Sequence, residues 1–381
     1  MKMRYCKNCL QPDTRPGIKF DENGICYACK YEFSKQSIDW VQREAELRKI
    51  AEEAKQTAKE RNLSYDCVIG VSGGKDSTFQ AVYAKEKLGL HPLLINAMPD
   101  EITEIGLYNL NNLSKMGFDI ITIRPNPNVA KKLARASFFK YGNIIKASEY
   151  ALWYSAYFMA DKFNIPLVIQ GENDALTLGT AAIQEETGDA FSVIQLNTLQ
   201  HSVNDMCEGI DGIEESDLEL YQVSKLKQIK EKGIKAIFLQ YYAKEWSQVY
   251  NADFSVARGL KGREDDLHDI GRYRRYTALD CDLAIPNQMI KYLKFGFGFA
   301  TDEVCYDIRE GRLSREDAVW YVKEYDGFCG DKYVDIACKY LSITKEEFWE
   351  VVDQYVNRDL FFKDEQGKWV PKFEIGKDYE C

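Results

Sequence analysis

Two groups of residues in this chain have the types and spacing to do chemistry. The first is the hexapeptide Ser72-Gly73-Gly74-Lys75-Asp76-Ser77. It follows the apolar run 66–71, which reads as a buried strand, and precedes 78–85, which reads as a helix. A glycine pair at such a junction lets the backbone turn sharply and bring bare N–H groups up to an anion. The helix N-terminus adds partial positive charge, Lys75 a full one, and Ser72 and Ser77 hydroxyl donors. The hexapeptide is a phosphate cradle, but not a P-loop. Ile69 stands where the first glycine of that motif belongs, and Asp76 follows the lysine. The second group is Cys6-x2-Cys9 and Cys26-x2-Cys29, with 16 residues between the pairs. Two such knuckles separated by about 15–20 residues close a tetrahedral thiolate shell. Four thiolates leave no open position, so the expected ion is structural, and zinc is preferred over iron. The other seven cysteines show no such spacing and read as core or surface thiols.

These groups need elements to hold them. The cysteine ribbon, at ~30 residues, is too small to bury a core of its own and leans on its metal. A charged helix over 39–60 follows, packed by one stripe of Val41, Ala45, Leu47, Ile50, Ala54 and Ala58. Strands are expected at Cys67–Val71, Pro92–Met98, Asp119–Arg124, Pro166–Gln170 and Lys235–Leu239. Helical patterns lie between them at 77–88, 101–116, 129–139, 147–163 and 215–231. The alternation predicts an α/β fold, a doubly wound parallel five-stranded sheet with helices on both faces. Ligands in such sheets bind beyond the carboxyl ends of the strands. That rule gathers Ser72–Ser77, the strand end at Asn96, and Gly171-Glu172-Asn173 at one rim. Residues 174–214 read as a lid or insertion over it. From 243 the chain turns aromatic and helical. Ser314–Asp317 and Thr344–Glu347 are expected capping boxes that open two of its helices. The resulting division is 1–35 ribbon, 36–61 connector, 62–242 nucleotide domain, and 243–381 a helical substrate or oligomerisation region.

The 381 residues are 45% hydrophobic and 29% charged, ordinary values for a globular protein of two or three domains. A net charge of −10 argues against a broad nucleic-acid footprint. No run of ~18 apolar residues predicts a membrane span, and Met1–Cys6 lacks the apolar core of a secretory signal, so a cytoplasmic protein is expected.

The hexapeptide resembles the PP-loop of ATP pyrophosphatases, which cleave ATP between its α and β phosphates and pass AMP to a substrate oxygen. Longer stretches narrow this. Tyr5–Gly17, Asp21–Cys29, Val71–Thr78, Gly171–Asn173, Tyr292–Gly298, Ala300–Asp302, Asp307–Arg309 and Arg315-Glu316 are similar to the N-acetyl sugar amidotransferases. One departure is Phe299, where that family is expected to carry a basic residue. The resemblance implies a PP-loop (adenine nucleotide alpha hydrolase-like) fold with an N-terminal zinc ribbon and a mostly helical C-terminal region. It implies conversion of an N-acetyl group on a bacterial surface sugar, of lipopolysaccharide or a flagellin glycan, to an acetamidino group. ATP, Mg2+ and structural Zn2+ are the implied cofactors. ATP would rest on Val71, Ser72, Gly73, Gly74, Lys75, Asp76, Ser77, Asn96 and Gly171. Lys75, Asp76 and Glu172 would take the catalytic roles. Asn173, Trp246, Lys294 and Arg309 are the expected contacts to a nucleotide-linked or acidic sugar.

The amidine nitrogen must be supplied. Position 2 is lysine rather than the cysteine of a fused class II glutaminase. The segment Asp205–Gly209 lacks the first glycine of a class I elbow. A separate glutaminase subunit, or free ammonium, is therefore expected. The enzymatic alternative is a tRNA-modifying PP-loop enzyme of the thiolase type, which would need a reactive cysteine pair or cluster and a basic surface. A non-catalytic nucleotide sensor would have no use for Lys75 and Asp76.

Overall fold

The computed structural model describes residues 2–180, 187–195, 199 and 201–380. Residues 181–186, 196–198 and 200 of the expected 174–214 insertion lie outside that set. The two-residue strand β1 (Lys2–Met3) precedes the cysteine ribbon, which ends in α1 (Tyr27–Ser34). Helix α2 (Trp40–Glu60) then leads to the central sheet, which alternates with helices: β2 (Cys67–Gly70), α3 (Lys75–Val82), β3 (Pro92–Ala97), α4 (Glu104–Lys115) and β4 (Asp119–Ile123). After α5 (Pro127–Tyr141) and α6 (Lys146–Lys162) come β5 (Leu167–Gln170), the short α7 (Asp174–Thr177), α8 (Val203–Cys207), α9 (Leu226–Glu231) and β6 (Lys235–Phe238).

All five strands are parallel, in the order β4-β3-β2-β5-β6. The alternation of side chains explains why the strands read as continuous apolar runs. Val68 and Val168 join one core with α6, whereas Cys67, Ile69, Leu167 and Ile169 join the other with α2 and α3. The chain winds outward from β2 in one direction, then returns to β5 and winds in the other. The switch point lies between the carboxyl ends of β2 and β5.

Beyond the sheet run α10 (Leu239–Tyr242), α11 (Gln248–Val256), α12 (Ala284–Phe295), α13 (Phe299–Arg309), α14 (Arg315–Tyr325), α15 (Asp331–Leu341) and α16 (Lys345–Tyr355). A hairpin of β7 (Phe361–Lys363) and β8 (Trp369–Pro371) follows, and β9 (Tyr379–Glu380) pairs with β1. The four ribbon cysteines and Leu10 share one apolar core with α12 to α16. The ribbon is thus built into the C-terminal region rather than standing apart.

Three expectations about local structure are corrected. In α2 the stripe holds at Leu47, Ala54 and Ala58, but Val41 is 81% exposed and Ala45 is exposed as well. The first turns of α2 dock through Arg43 instead, which donates to the Tyr241 carbonyl at 2.9 Å and stacks on the Tyr241 ring. Residues 215–225 are largely 3₁₀ rather than α-helix. Leu218 and Tyr221 are buried and stand three apart, the period of the tighter helix. Thr344 and Glu347 form the reciprocal capping box, while Ser314 accepts from the Asp317 amide without the return bond. The Asp317 carboxylate is engaged by the Ser314 hydroxyl at 2.6 Å.

Candidate active site

The loop after β2 is shaped by its neighbours. Val71 continues the ladder, donating its amide to Ile95 O at 2.8 Å, and its carbonyl accepts from Asn96 Nδ2 at 2.8 Å. Asn96 therefore ties the end of β3 to the start of the loop; its Oδ1 is buried without a partner. Gly73 has φ +79°, and a Cβ there would meet Gly106 O and Leu110 N at 3.1 Å, so the loop presses on the first turns of α4. Gly74 caps α3 with no side-chain oxygen over the helix end. The amides of Lys75, Asp76 and Ser77 then point outward without intrahelical acceptors, as an anion site requires. Ser77 Oγ turns back to Gly74 O at 3.1 Å, and Ser72 Oγ accepts from the Gly74 amide at 3.3 Å. Lys75 is buried, with its ammonium 2.5 Å from Asp76 Oδ2.

Gly171-Glu172-Asn173 follows β5 across the switch point. Gly171 leaves little room for a side chain: a Cβ would press on the Gln80 side-chain amide, which would have to move, and lie 3.1 Å from the Trp246 ring. Burial, together with the Asp76 charge, raises the Glu172 pKa to about 8, against the opposing pull of Lys75. Lys75, Asp76 and Glu172 thus form one electrostatic cluster at the rim.

The cluster is braced by residues that the sequence reading missed. Gln248, Asn251 and Ser255 line one face of α11, which packs on α3. Gln248 Nε2 donates to Glu172 at 3.1 Å, Asn251 Nδ2 to Asp76 Oδ1 at 2.8 Å, and Ser255 Oγ to Lys75 O at 2.8 Å. All three are buried. Polar residues at i, i+3 and i+7 of a helix share a face, and that stripe was the available signal.

The cysteine ribbon fits a metal. The four Sγ atoms lie within 4.8 Å of one another, and the pairs Cys6–Cys29 and Cys9–Cys26 are 3.9 and 3.8 Å apart. A tetrahedral shell with metal–sulfur bonds of about 2.3 Å has edges of about 3.8 Å. Asn8 Nδ2, the Gln11 amide and the Cys26 amide donate to the Cys29, Cys9 and Cys6 sulfurs, bonds that orient thiolates and spread their charge.

The four expected sugar contacts separate. Asn173 spends its Oδ1 capping α7 at Ala175 N and its Nδ2 on Thr187 O. Trp246 is 4% exposed, packed edge-on against Phe79. Arg309 donates to Thr177 O at 2.7 Å. Burial works against its charge, and the neighbouring Cys9, Cys305, Cys29 and Cys26 more than reverse that. Trp246 and Arg309 both border one open cleft, beside Trp40 and Lys244, and Lys294 lines another. The Lys294 cleft, of about 500 Å3, lies between α6–α7, the ribbon at Arg15, and α12 with Phe297. Asp174, two residues beyond Glu172, is in its wall.

Residues 270–375 match the family model "LPS biosynthesis protein WbpG-like, C-terminal domain". This match supports the amidotransferase resemblance carried by the motifs. No curated protein matches the chain. Among solved structures, the NH3-dependent NAD synthetase from Campylobacter jejuni is 16% identical, with TM-score 0.27, covering 51% of this chain and 95% of its own. NMN synthetase from Francisella tularensis is 15% identical, with TM-score 0.27, covering 60% and 100%. No helix among the described residues is long and apolar enough to cross a membrane.

Proposed function

We propose that the chain is an ATP-dependent sugar-modifying enzyme of lipopolysaccharide or related surface-glycan biosynthesis, and specifically an N-acetyl sugar amidotransferase. The observation that carries the reading is the adjacency of two parts. The Lys75–Asp76–Glu172 cluster at the switch point sits beside a cleft walled partly by the WbpG-like segment. The N-acetyl oxygen attacks the α-phosphate of ATP, forming a C–O–AMP imidate and releasing pyrophosphate. Ammonia adds to the imidate carbon, a proton leaves nitrogen, and the C–O bond breaks to give the amidine and AMP.

Each residue has a task that follows from its chemistry. Loop amides and Lys75 hold the phosphates and stabilise the departing pyrophosphate; one such placed donor contributes ~10^2–10^3 in rate. Lys75 would exchange its bond to Asp76 for phosphate oxygen. Asp76, kept in place by Asn251, is the carboxylate suited to Mg2+, which supplies charge neutralisation when bound. Glu172, with a pKa near the working range, accepts the proton lost by the incoming nitrogen. The ribbon is structural and holds Arg15 in the cleft wall. Ammonia comes from a separate glutaminase or from solution.

The test is mass spectrometry of N-acetylated sugars, nucleotide-linked and acidic, incubated with the chain, ATP, Mg2+ and ammonium. Replacement of oxygen by NH together with stoichiometric AMP is expected. ATP consumed to ADP, or tRNA-stimulated AMP formation in place of sugar dependence, would sink the reading.

A further inference from the structure

Three residues of α13 share one helical face: Asp302, Cys305 and Arg309, at i, i+3 and i+7. That face is turned to the cysteine ribbon. Asp302 accepts from Gln11 Nε2 at 2.9 Å and pairs with Arg15. Cys305 lies against Cys9 in their shared core, outside the group of four sulfurs that fits a metal. Arg309, one turn further on, stands in the field of the Cys9, Cys305, Cys29 and Cys26 sulfurs.

The ribbon needs such a neighbour. Cys6, Cys9, Cys26 and Cys29 are fully buried. A divalent ion among four thiolates leaves a net negative centre, and a buried charge is costly unless an opposite one answers it. The Asn8, Gln11 and Cys26 donors to the sulfurs are neutral. Arg15 is spent on Asp302 and on Gln11 Oε1, the latter at 2.7 Å, and Arg315 on the carbonyls of Cys9 and Gly376. Arg309 pairs with no carboxylate among the described residues. Its Nη2 donates to the Thr177 carbonyl at 2.7 Å, and its Nη1 is buried without a hydrogen-bond partner.

The bond to Thr177 leads to the rim. Thr177 ends α7, and its amide and hydroxyl both donate to the Asn173 carbonyl, at 3.1 and 3.0 Å. Asn173 is the residue after Glu172. The ribbon also meets this segment directly. Ile18 bridges Thr180, and a Cβ on Gly179 would stand 3.3 Å from the amide nitrogen of Ala28, which lies between Cys26 and Cys29 in the chain.

We infer that Arg309 is a positioning residue: its guanidinium answers the negative charge of the metal–thiolate centre and, through Thr177, fixes α7 and the strand end that carries Glu172. The ribbon's ion then sets the rim as well as the fold. The inference rests on reading the four sulfurs as a metal shell, and not on the reaction proposed above.

Metal titration, cobalt(II) substitution and hydrogen–deuterium exchange on the full chain test it without using turnover. Arg309→Met should bind the ion ~10–100-fold more weakly, the usual effect of losing an outer partner of a metal site. The thiolate-to-cobalt absorption of its cobalt form should shift. Amides from α7 to Thr180 should exchange faster, while β2 and β3 keep their protection. Arg309→Lys keeps the charge and should retain the ion as wild type does. Its ammonium lacks the fork that serves the sulfurs and Thr177 together, so the segment should still loosen. Wild-type metal affinity with an unshifted cobalt spectrum in Arg309→Met overturns the charge assignment. Unchanged exchange from α7 to Thr180 in both variants overturns the link to the rim. If the methionine variant does not fold, the lysine variant decides alone: a retained ion with a loosened segment upholds the inference, and a lost ion or a segment protected as in wild type overturns it. A wild type that binds no metal overturns the shell and this inference with it. Failure to form an amidine in a chain that shows the coupling removes only the reaction.

Discussion

The rim at Ser72–Ser77 and the cleft at Lys294 are neighbours built on opposite plans. The rim is mostly backbone: a glycine turn, a helix start and a strand end, contributed by the short segments 71–77 and 171–173. The cleft is mostly side chain, gathered from the ribbon at Arg15, α6 at Lys146 and Glu149, α7 at Asp174, and α12 at Gln288, Lys291 and Lys294. A backbone site is written as a contiguous motif because steric demands act on adjacent residues. A side-chain site needs only that distant segments converge, so no local pattern announces it. Chemistry common to many acceptors belongs on the first kind of site, and choice of acceptor on the second.

The largest effect expected is one that separates the two. Cys9→Ser removes one of the four thiolates proposed to hold a structural ion, and such an ion contributes ~10–16 kcal/mol in isolated zinc-finger peptides. Because the ribbon cysteines share a core with α12 to α16, the variant should lose bound metal and melt well below wild type. Arg15 hangs from the ribbon, so sugar affinity should be lost while the ATP analogue still binds. Metal analysis and a melting curve check the first point, and calorimetry the second; unchanged metal content and melting would break the comparison.

Next in size is Lys75→Met. Among the described residues its ammonium pairs with Asp76, and α11 holds the local backbone through Ser255. AMP formation should fall ~10^2–10^3-fold, with the near-UV circular dichroism spectrum intact. A comparable loss of sugar binding would show that the two regions are not separable.

Glu172→Gln is expected to be smaller, ~10^2-fold at the low end of general-base effects, and to be visible in its pH dependence. Burial and Asp76 keep the carboxyl protonated below about 8. A base must be ionised, so kcat/KM for the sugar, at fixed free ammonia concentration, should rise through about that pH and then level. The glutamine variant should give a flat profile. An unchanged rise in the variant would assign the proton to another group.

How much was legible follows the same division. The sheet strands were readable to within a residue at each end, because burial on both faces forces continuous apolar runs. Ser72–Ser77, Gly171 and the cysteine knuckles were readable because tight turns and thiolate shells restrict residue type. Of the four expected sugar contacts only Lys294 lines the cleft. Asn173 and Trp246 stood beside a motif and were drawn toward it, but both are used to pack and cap the rim. Arg15 and Lys146 were hidden by the reverse: nothing local distinguishes a cleft-facing cation from a surface one.

Phe299 tests the finest point of that contrast and should give the smallest effect. The family resemblance calls for a basic residue here. In this chain the positive charge arrives from elsewhere: the fully buried Arg272 guanidinium lies 3.9 Å from the Phe299 ring centroid, with Lys291 at 5.8 Å. Burial lowers the Arg272 pKa to about 10, only partly opposed by Glu303, so the site is already short of negative charge. Phe299→Leu keeps the apolar contact and loses the ring face, a cost of ~0.5–2 kcal/mol that should lower the melting temperature slightly. Phe299→Arg should cost more, because it sets a third cation against Arg272 and Lys291. If the arginine variant proves the more stable of the two, Arg272 is not standing in for the missing basic residue. The electrostatics around Arg272 would then have to be drawn from position 299 itself.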